Sequence, residues 1–319
     1  MLKLIILTCS FLILSSCSLP KKNYSNIATN SGAFSRQENA LWDSFIVPYV
    51  KNTNFNNIIE LYDFCTYMLI PMNAAFLYQK HEGMTLFKDH VNTFLTPSIK
   101  NNYISLSKSI NKIQYLFLLS EYCKLAQIYN NNTNDSQFLI PELITFIESE
   151  LSQWWNDPAW QWDTSPFPNL KSRIDWKLTA SPELHNFYKK WILDETFYVF
   201  GIAGNLKFIT RYSSQTLDQG LLNDILETAQ RVFQEGIQHE PNGGWVLQPG
   251  IPKDHPEFWY AGYQSNMPAD LPEKKLVDDI SWDTSHFMRI PVVLECLRIS
   301  SQENELFYQE LQQGLGYQF

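Results

Sequence analysis

The sequence predicts an all-α fold on three observations. Nearly every apolar run repeats at helix spacing, no βαβ or strand-rich pattern occurs, and helices apolar almost all round alternate with two-faced ones. The contrast is clearest in the C-terminal half. A helix towards Arg211, opened by Ser181-Pro182 as N-cap and N1 proline, carries Phe187, Trp191, Phe197, Tyr198, Val199, Phe200, Ile202, Leu206 and Ile209. Little of its second half is left for water, so it belongs inside. The next helix, Thr216 to Gln238, keeps Leu222, Ile225, Leu226, Ala229, Val232 and Phe233 on one side and belongs outside. Inner and outer helices in alternation describe an (α/α) toroid-like barrel of helical hairpins, incomplete by its helix count, with long aromatic loops over one end. The rival, a helical-repeat solenoid, lacks a fixed-period signature.

The chain begins with Lys3 and the apolar run Leu4 to Leu14, too short to span a bilayer and suited to a signal-peptide core. The following Leu14-Ser15-Ser16-Cys17 resembles the bacterial lipobox, which implies cleavage before Cys17 and its lipidation with acyl chains such as palmitate. Residues 1–16 are therefore expected to be a lipoprotein signal peptide, 17–36 a polar tether and 37–319 a single helical domain. Ser18, rather than aspartate, after the cysteine implies the outer membrane if the cell is Gram-negative.

Past the lipidation site the cysteines are Cys65, Cys123 and Cys296, so at most one disulfide can form within the chain. No Cys/His spacing suggests zinc, and neither metal nor cofactor is expected. The net charge of −9 comes without a basic cluster, which argues against nucleic acid as a partner. A polyanionic ligand would need a local exception, which Arg173 and Arg289 could supply.

The other helices follow in order. Asn54 to Gln79 is helical, with Pro71 expected to end or kink it. Tyr103 to Tyr129 carries Leu106, Ile110, Ile113, Phe117 and Leu118 at helix spacing; Asn130 to Ser136 reads as a loop, and Gln137 to Trp155 as the next helix. Thr216 with Gln219 has the form of a capping box, and Pro241-Asn242-Gly243-Gly244 stops the helix that follows. Strand candidates are confined to short pieces around Gly244 to Gln248.

Two long segments read as irregular, Trp154 to Trp176 and Glu240 to Trp282. Trp160, Trp162, Trp245, Trp259 and Trp282, with Asn266, are candidates to stack on and hydrogen-bond sugar rings. The plainer reading of each tryptophan is that it pins its loop to the body. Between the second segment and the last apolar run lies Asp278 to Pro291, dense in groups capable of chemistry. Asp283 is a candidate N-cap, and Pro291 a kink or a first-turn residue. His286 and Arg289 share a face near a helix entrance, where the dipole favours neutral imidazole. A cap with a solvated first turn weighs evenly against a site.

Trp259-Tyr260-Ala261-Gly262-Tyr263 and Trp282-Asp283-Thr284-Ser285-His286-Phe287-Met288-Arg289, with the leader and the helix alternation, resemble secreted bacterial α/α-toroid proteins around the polysaccharide lyases and six-hairpin glycosidases. The resemblance covers roughly Trp154 onward and implies a polysaccharide or oligosaccharide substrate. Lyase chemistry on a uronate needs a neutral base, a donor to the leaving oxygen and a group that neutralises the carboxylate. His286, Tyr260 or Tyr263, and Arg289 suit those roles, with Asp283 beside them and Asn266 as a second carboxylate donor. Hydrolysis needs two carboxylates, for which Asp279, Asp283 and Glu195 are candidates. The plainer reading puts Glu195 at the surface of its helix, and His255 as a solvated loop histidine. GxSxG, HExxH and phosphate-binding glycine loops are absent from the sequence. The expected protein is thus an exported, lipid-anchored monomer acting on glycan, the alternative being a non-catalytic lipoprotein that binds glycan or cell-wall components.

Overall fold

A computed structural model describes residues 34–159, 167–179, 194–213, 215–247 and 289–315. The fold is all-α, with one small two-stranded sheet among the described residues. Two compact units emerge: Met1–Glu148 with Phe208–Leu217, and Ser149–Lys207 with Asp218–Phe319.

Unit 1 starts with α1 (Arg36–Leu41), capped reciprocally by Ser35 and Glu38, which runs through a π-helical turn (Trp42–Ile46) into α2 (Val47–Lys51). Pro48 accounts for the widened turn: its ring would clash with the Ser44 carbonyl in a regular α-helix. Next come α3 (Ile58–Leu77), α4 (His81–Phe94), α5 (Pro97–Ser105) and α6 (Ile110–Thr133). Pro71 lies inside α3 without ending it. Its missing donor would otherwise serve Tyr67, a partly exposed residue whose carbonyl can turn to water.

The single helix expected over Tyr103 to Tyr129 is two. α5 ends at Ser105, and Ser109 caps α6 by accepting from the Lys112 amide at 3.2 Å. The break holds because Lys112 Nζ donates to the Ile104 and Leu106 carbonyls, each at 3.2 Å, placing a cation where α5 ends. The polar tract after Tyr129 is not all loop, since α6 continues to Thr133 and closes on Asn134 in the left-handed region at φ 56°. α6 is buried on nearly every side from Lys112 to Ala126 and packs along α3. Within it Glu121 and Lys124 pair at 2.7 Å, three residues apart on the same helix.

A column of rings crosses unit 1. Tyr49 stacks on Phe64 with centroids 6.0 Å apart, Phe64 stacks on His90 at 4.2 Å, and His90 Nε2 meets the Tyr115 hydroxyl at 2.9 Å. Burial pushes the His90 imidazole down to about 3, with the Val50 backbone a smaller opposing influence. The folded value lies below the ordinary 6.5, so the contribution of His90 is complete above that pH and lost as the pH falls towards 3. Between pH 6 and 4 the loss approaches about 1.4 kcal/mol per pH unit. Urea titrations should show His90→Gln, which keeps a polar partner for Tyr115 without the titration, with a visibly flatter fall in stability over that interval. Parallel profiles for the two proteins would contradict the assignment.

α7 (Pro141–Asn156) and α9 (Asp194–Thr210) each contribute residues to both units. Unit 2 adds α8 (Leu170–Thr179), α10 (Gln219–Gly236), the hairpin β1 (Ile237–His239) and β2 (Trp245–Leu247), α11 (Arg289–Ser300) and α12 (Glu305–Leu315). α10 starts after Asp218, whose carboxylate accepts from the Leu221 amide at 3.0 Å, so Thr216 is not its cap. The contrast between the two helices is as expected. In α9 every residue from Asp194 to Leu206 is buried, whereas α10 buries only Leu222, Ile225, Thr228, Ala229, Val232 and Phe233. The predicted start of the inner helix, Ser181 to Ile192, lies outside the described residues.

Pro241 to Gly244 does more than stop a helix. Gly243, at φ 90°, turns the chain so that β2 pairs antiparallel with β1, Ile237 opposite Leu247 and His239 opposite Trp245. Gly204 lets α9 and α11 approach closely: a Cβ there would stand 2.7 Å from the Cys296 carbonyl oxygen. Cys65, Cys123 and Cys296 are all buried free thiols.

Candidate functional site

Of the predicted site residues, Arg289 and Trp245 are described, as are the further candidates Arg173 and Glu195. Cys17, Trp160, Trp162, Trp259, Tyr260, Tyr263, Asn266, Trp282, Asp283 and His286 lie outside the described residues, as do His255 and Asp279. Trp245 is not a loop residue lining a cleft. It is 1% exposed, its indole N–H donates to the Leu311 carbonyl at 2.8 Å, and Phe233 meets it edge-on. A Cβ on Gly314 would come within 2.5 Å of this indole, so a glycine is what lets α12 pack there. For Trp245 the plainer reading, a core anchor, holds.

The first irregular segment is also more ordered than its composition suggests. Trp154 and Trp155 end α7 and are buried, and the Trp155 indole donates to Asp224 of α10 at 2.8 Å. Trp176 lies in α8, its ring 5.3 Å from that of Phe167. Only residues 160–166 of that stretch remain undescribed. α8 is tied to α10 by Lys171 with Asp224, and by Arg231 with Asp175 at 2.8 Å.

The polar feature that stands out in unit 2 is a cluster of charged groups around the first turn of α9, to which α8 and α11 each contribute a guanidinium. Arg173 and Glu195 pair at 3.4 Å with side chains 2% and 1% exposed. Arg289 pairs with Asp194, and its guanidinium lies 5.7 Å from the centre of the Tyr198 ring. Lys177, one turn beyond Arg173, is 1% exposed. Burial first, then the Arg173 guanidinium, pushes its ammonium well below the usual lysine range, while Glu195 pulls the other way. The local sequence explains the arrangement. Arg173 and Lys177, four apart, share the buried face of α8 with Leu170 and Ile174. Asp194 and Glu195 occupy the first turn of α9, where carboxylates suit the helix dipole.

This corrects the expectation for Glu195, which is interior and paired instead of at the helix surface. It also brings Arg173, Glu195 and Arg289, proposed for separate reasons, into one place. Lys177 and Asp194 were missed, although their signals are legible: a lysine four residues past Arg173 on an apolar face, and a carboxylate heading an apolar helix. Pro291 is the third residue of α11, within the first turn, where its missing donor costs no hydrogen bond.

Chemically, the cluster combines two guanidinium–carboxylate pairs with an amine held towards its neutral form. Among the described residues, no group of three His, Cys, Asp or Glu side chains is suited to hold a metal ion. No described helix is long and apolar enough to cross a membrane. No protein-family model matches the chain, and no curated protein or solved structure shows significant similarity to it.

Proposed function

We propose that this chain is an exported lipoprotein, anchored through Cys17, that cleaves a uronate-containing polysaccharide by elimination. In this reading the helices form an incomplete (α/α) toroid. The observation that supports it is the pairing of Arg289, the candidate site residue described within the Asp278 to Pro291 stretch, with Asp194 at the start of α9. A guanidinium held by Asp194 and lying 5.7 Å from the centre of the Tyr198 ring has its direction set in advance. It can therefore share the neutralisation of a substrate carboxylate with Asn266, while His286 takes the neighbouring ring proton and Tyr260 or Tyr263 protonates the leaving oxygen. Hydrolysis, the other reaction expected, would fall to Asp279 and Asp283. Glu195 and Asp194 are committed to buried ion pairs, which makes them supports for the site and not a pair flanking a bond.

The purified chain, incubated with a panel of acidic and neutral polysaccharides, should release unsaturated uronates from an acidic one. His286→Ala should lower turnover by about a hundredfold or more, the scale of a lost general base, with binding largely kept. Fatty-acid labelling in cells should mark the wild type and not Cys17→Ser. Reducing ends without unsaturated product would move the reaction to hydrolysis. Binding without any cleavage would leave a glycan-binding lipoprotein, and normal turnover by His286→Ala would remove the histidine from the chemistry.

A further inference from the structure

We propose that a groove on unit 1, between the π-helical turn with α2 on one side and α3 on the other, binds a small organic cation through its ammonium head. The groove encloses about 510 Å³, and its lining includes Phe45, Tyr49, Glu60, Asp63 and the buried Phe64. These residues fall at helical intervals along the two walls. Phe45, Tyr49 and Asn52 follow one helix face, and Glu60, Asp63 and Phe64 the facing one, so two elements contribute to a single concave surface.

Three features select the ligand. Phe45, Tyr49 and the neighbouring Tyr67 are 54%, 37% and 38% exposed, an unusual concentration of aromatic surface left to water. The charged side chains lining the groove are both carboxylates; Lys51, the basic residue of α2, is not part of the lining. The aromatic faces carry negative quadrupole potential, so rings and carboxylates attract the same ligand. A neutral sugar would use the rings but gain little from paired acids, and an anion would be repelled by both. The Tyr49 hydroxyl registers this field, pushed up to about 12 by burial, with Asp63, Tyr67 and Glu60 adding to the effect.

The surface is also built to keep its shape. The widened turn at Trp42–Ile46, which Pro48 imposes, presents Phe45 to the groove. Tyr49 rests on Phe64 in near-parallel stacking, at 10°, and meets Tyr67 edge-on at 6.1 Å. Asn57 holds Glu60 through a 2.9 Å hydrogen bond. A cation arriving there meets walls that need little reordering.

Titration calorimetry on the full chain in detergent, with choline, cadaverine and 3,3-dimethylbutan-1-ol, tests the proposal. The alcohol matches choline in shape without its charge. Choline or cadaverine should bind at least about tenfold more tightly than the alcohol, the scale of a cation over aromatic and carboxylate groups. Asp63→Asn combined with Glu60→Gln should weaken the amine about tenfold, and Phe45→Ala should weaken it as well, with circular dichroism unchanged. Whichever amine binds better names the head group, and either preference supports the proposal. Equal binding of choline and the alcohol, binding of neither amine, or full affinity in the Asp63/Glu60 variant would each overturn it.

Discussion

Glu195→Leu is expected to destabilise unit 2 by about 3–5 kcal/mol, the usual cost of removing one partner from a buried ion pair. The variant leaves the Arg173 guanidinium, 2% exposed, without its carboxylate and beside Lys177. In the native protein Glu195 opposes the forces that drive Lys177 towards the neutral amine. Once it is gone, Lys177 gives up its proton more readily, which relieves part of the repulsion but none of the burial cost of Arg173. Adding Arg173→Met to Glu195→Leu should recover most of the loss, because two apolar side chains of similar volume then fill the space. Urea unfolding of the single and double variants measures the difference. A double variant no more stable than Glu195→Leu would show that the cluster is held by partners other than this pair.

Trp245→Ala is expected to cost about 3–5 kcal/mol, enough to consume much of the stability of an ordinary domain. The indole fills the space between β2, Phe233 of α10 and the α12 backbone, and its N–H serves the Leu311 carbonyl. Truncation removes the packing and leaves that carbonyl without its side-chain donor. Trp245→Phe should cost less, since it keeps most of the apolar volume and gives up the hydrogen bond. Thermal melts of the two variants should fall in that order. A Trp245→Ala protein as stable as the wild type would return this residue to the surface role that its neighbours in sequence suggest.

The helical class and the depth of α9 were legible because they rest on apolar periodicity, a property of the chain alone. The break at Ser105 to Ser109 was not, because it depends on Lys112 capping carbonyls of the preceding helix. Of the two outcomes expected at Pro71, the helix does not end there, because a proline stops a helix only where the carbonyl it abandons has no other recourse. The tryptophans mark the limit of composition as a guide to function. Trp154 and Trp245 are as aromatic as any sugar-binding residue, yet both are 1% exposed, and no sequence spacing distinguishes a stacking platform from a core anchor. Arg173, Glu195 and Arg289 could each be singled out from the sequence, but only the packing of α8, α9 and α11 assembles them.

The sealed thiols supply the two units with separate clocks. A thiol reagent cannot reach Cys65, Cys123 or Cys296 until the helices around them part, so the rate of alkylation at each reports how often its own surroundings open. Cys65 and Cys123 keep time for unit 1, and Cys296 for unit 2. Matching rates at all three would mark one cooperative opening, and divergent rates would mark two, with no foreign probe introduced. Under the export proposed above, the same seal would impose an order of events: the thiols would have to be buried before an oxidant could join any two of them.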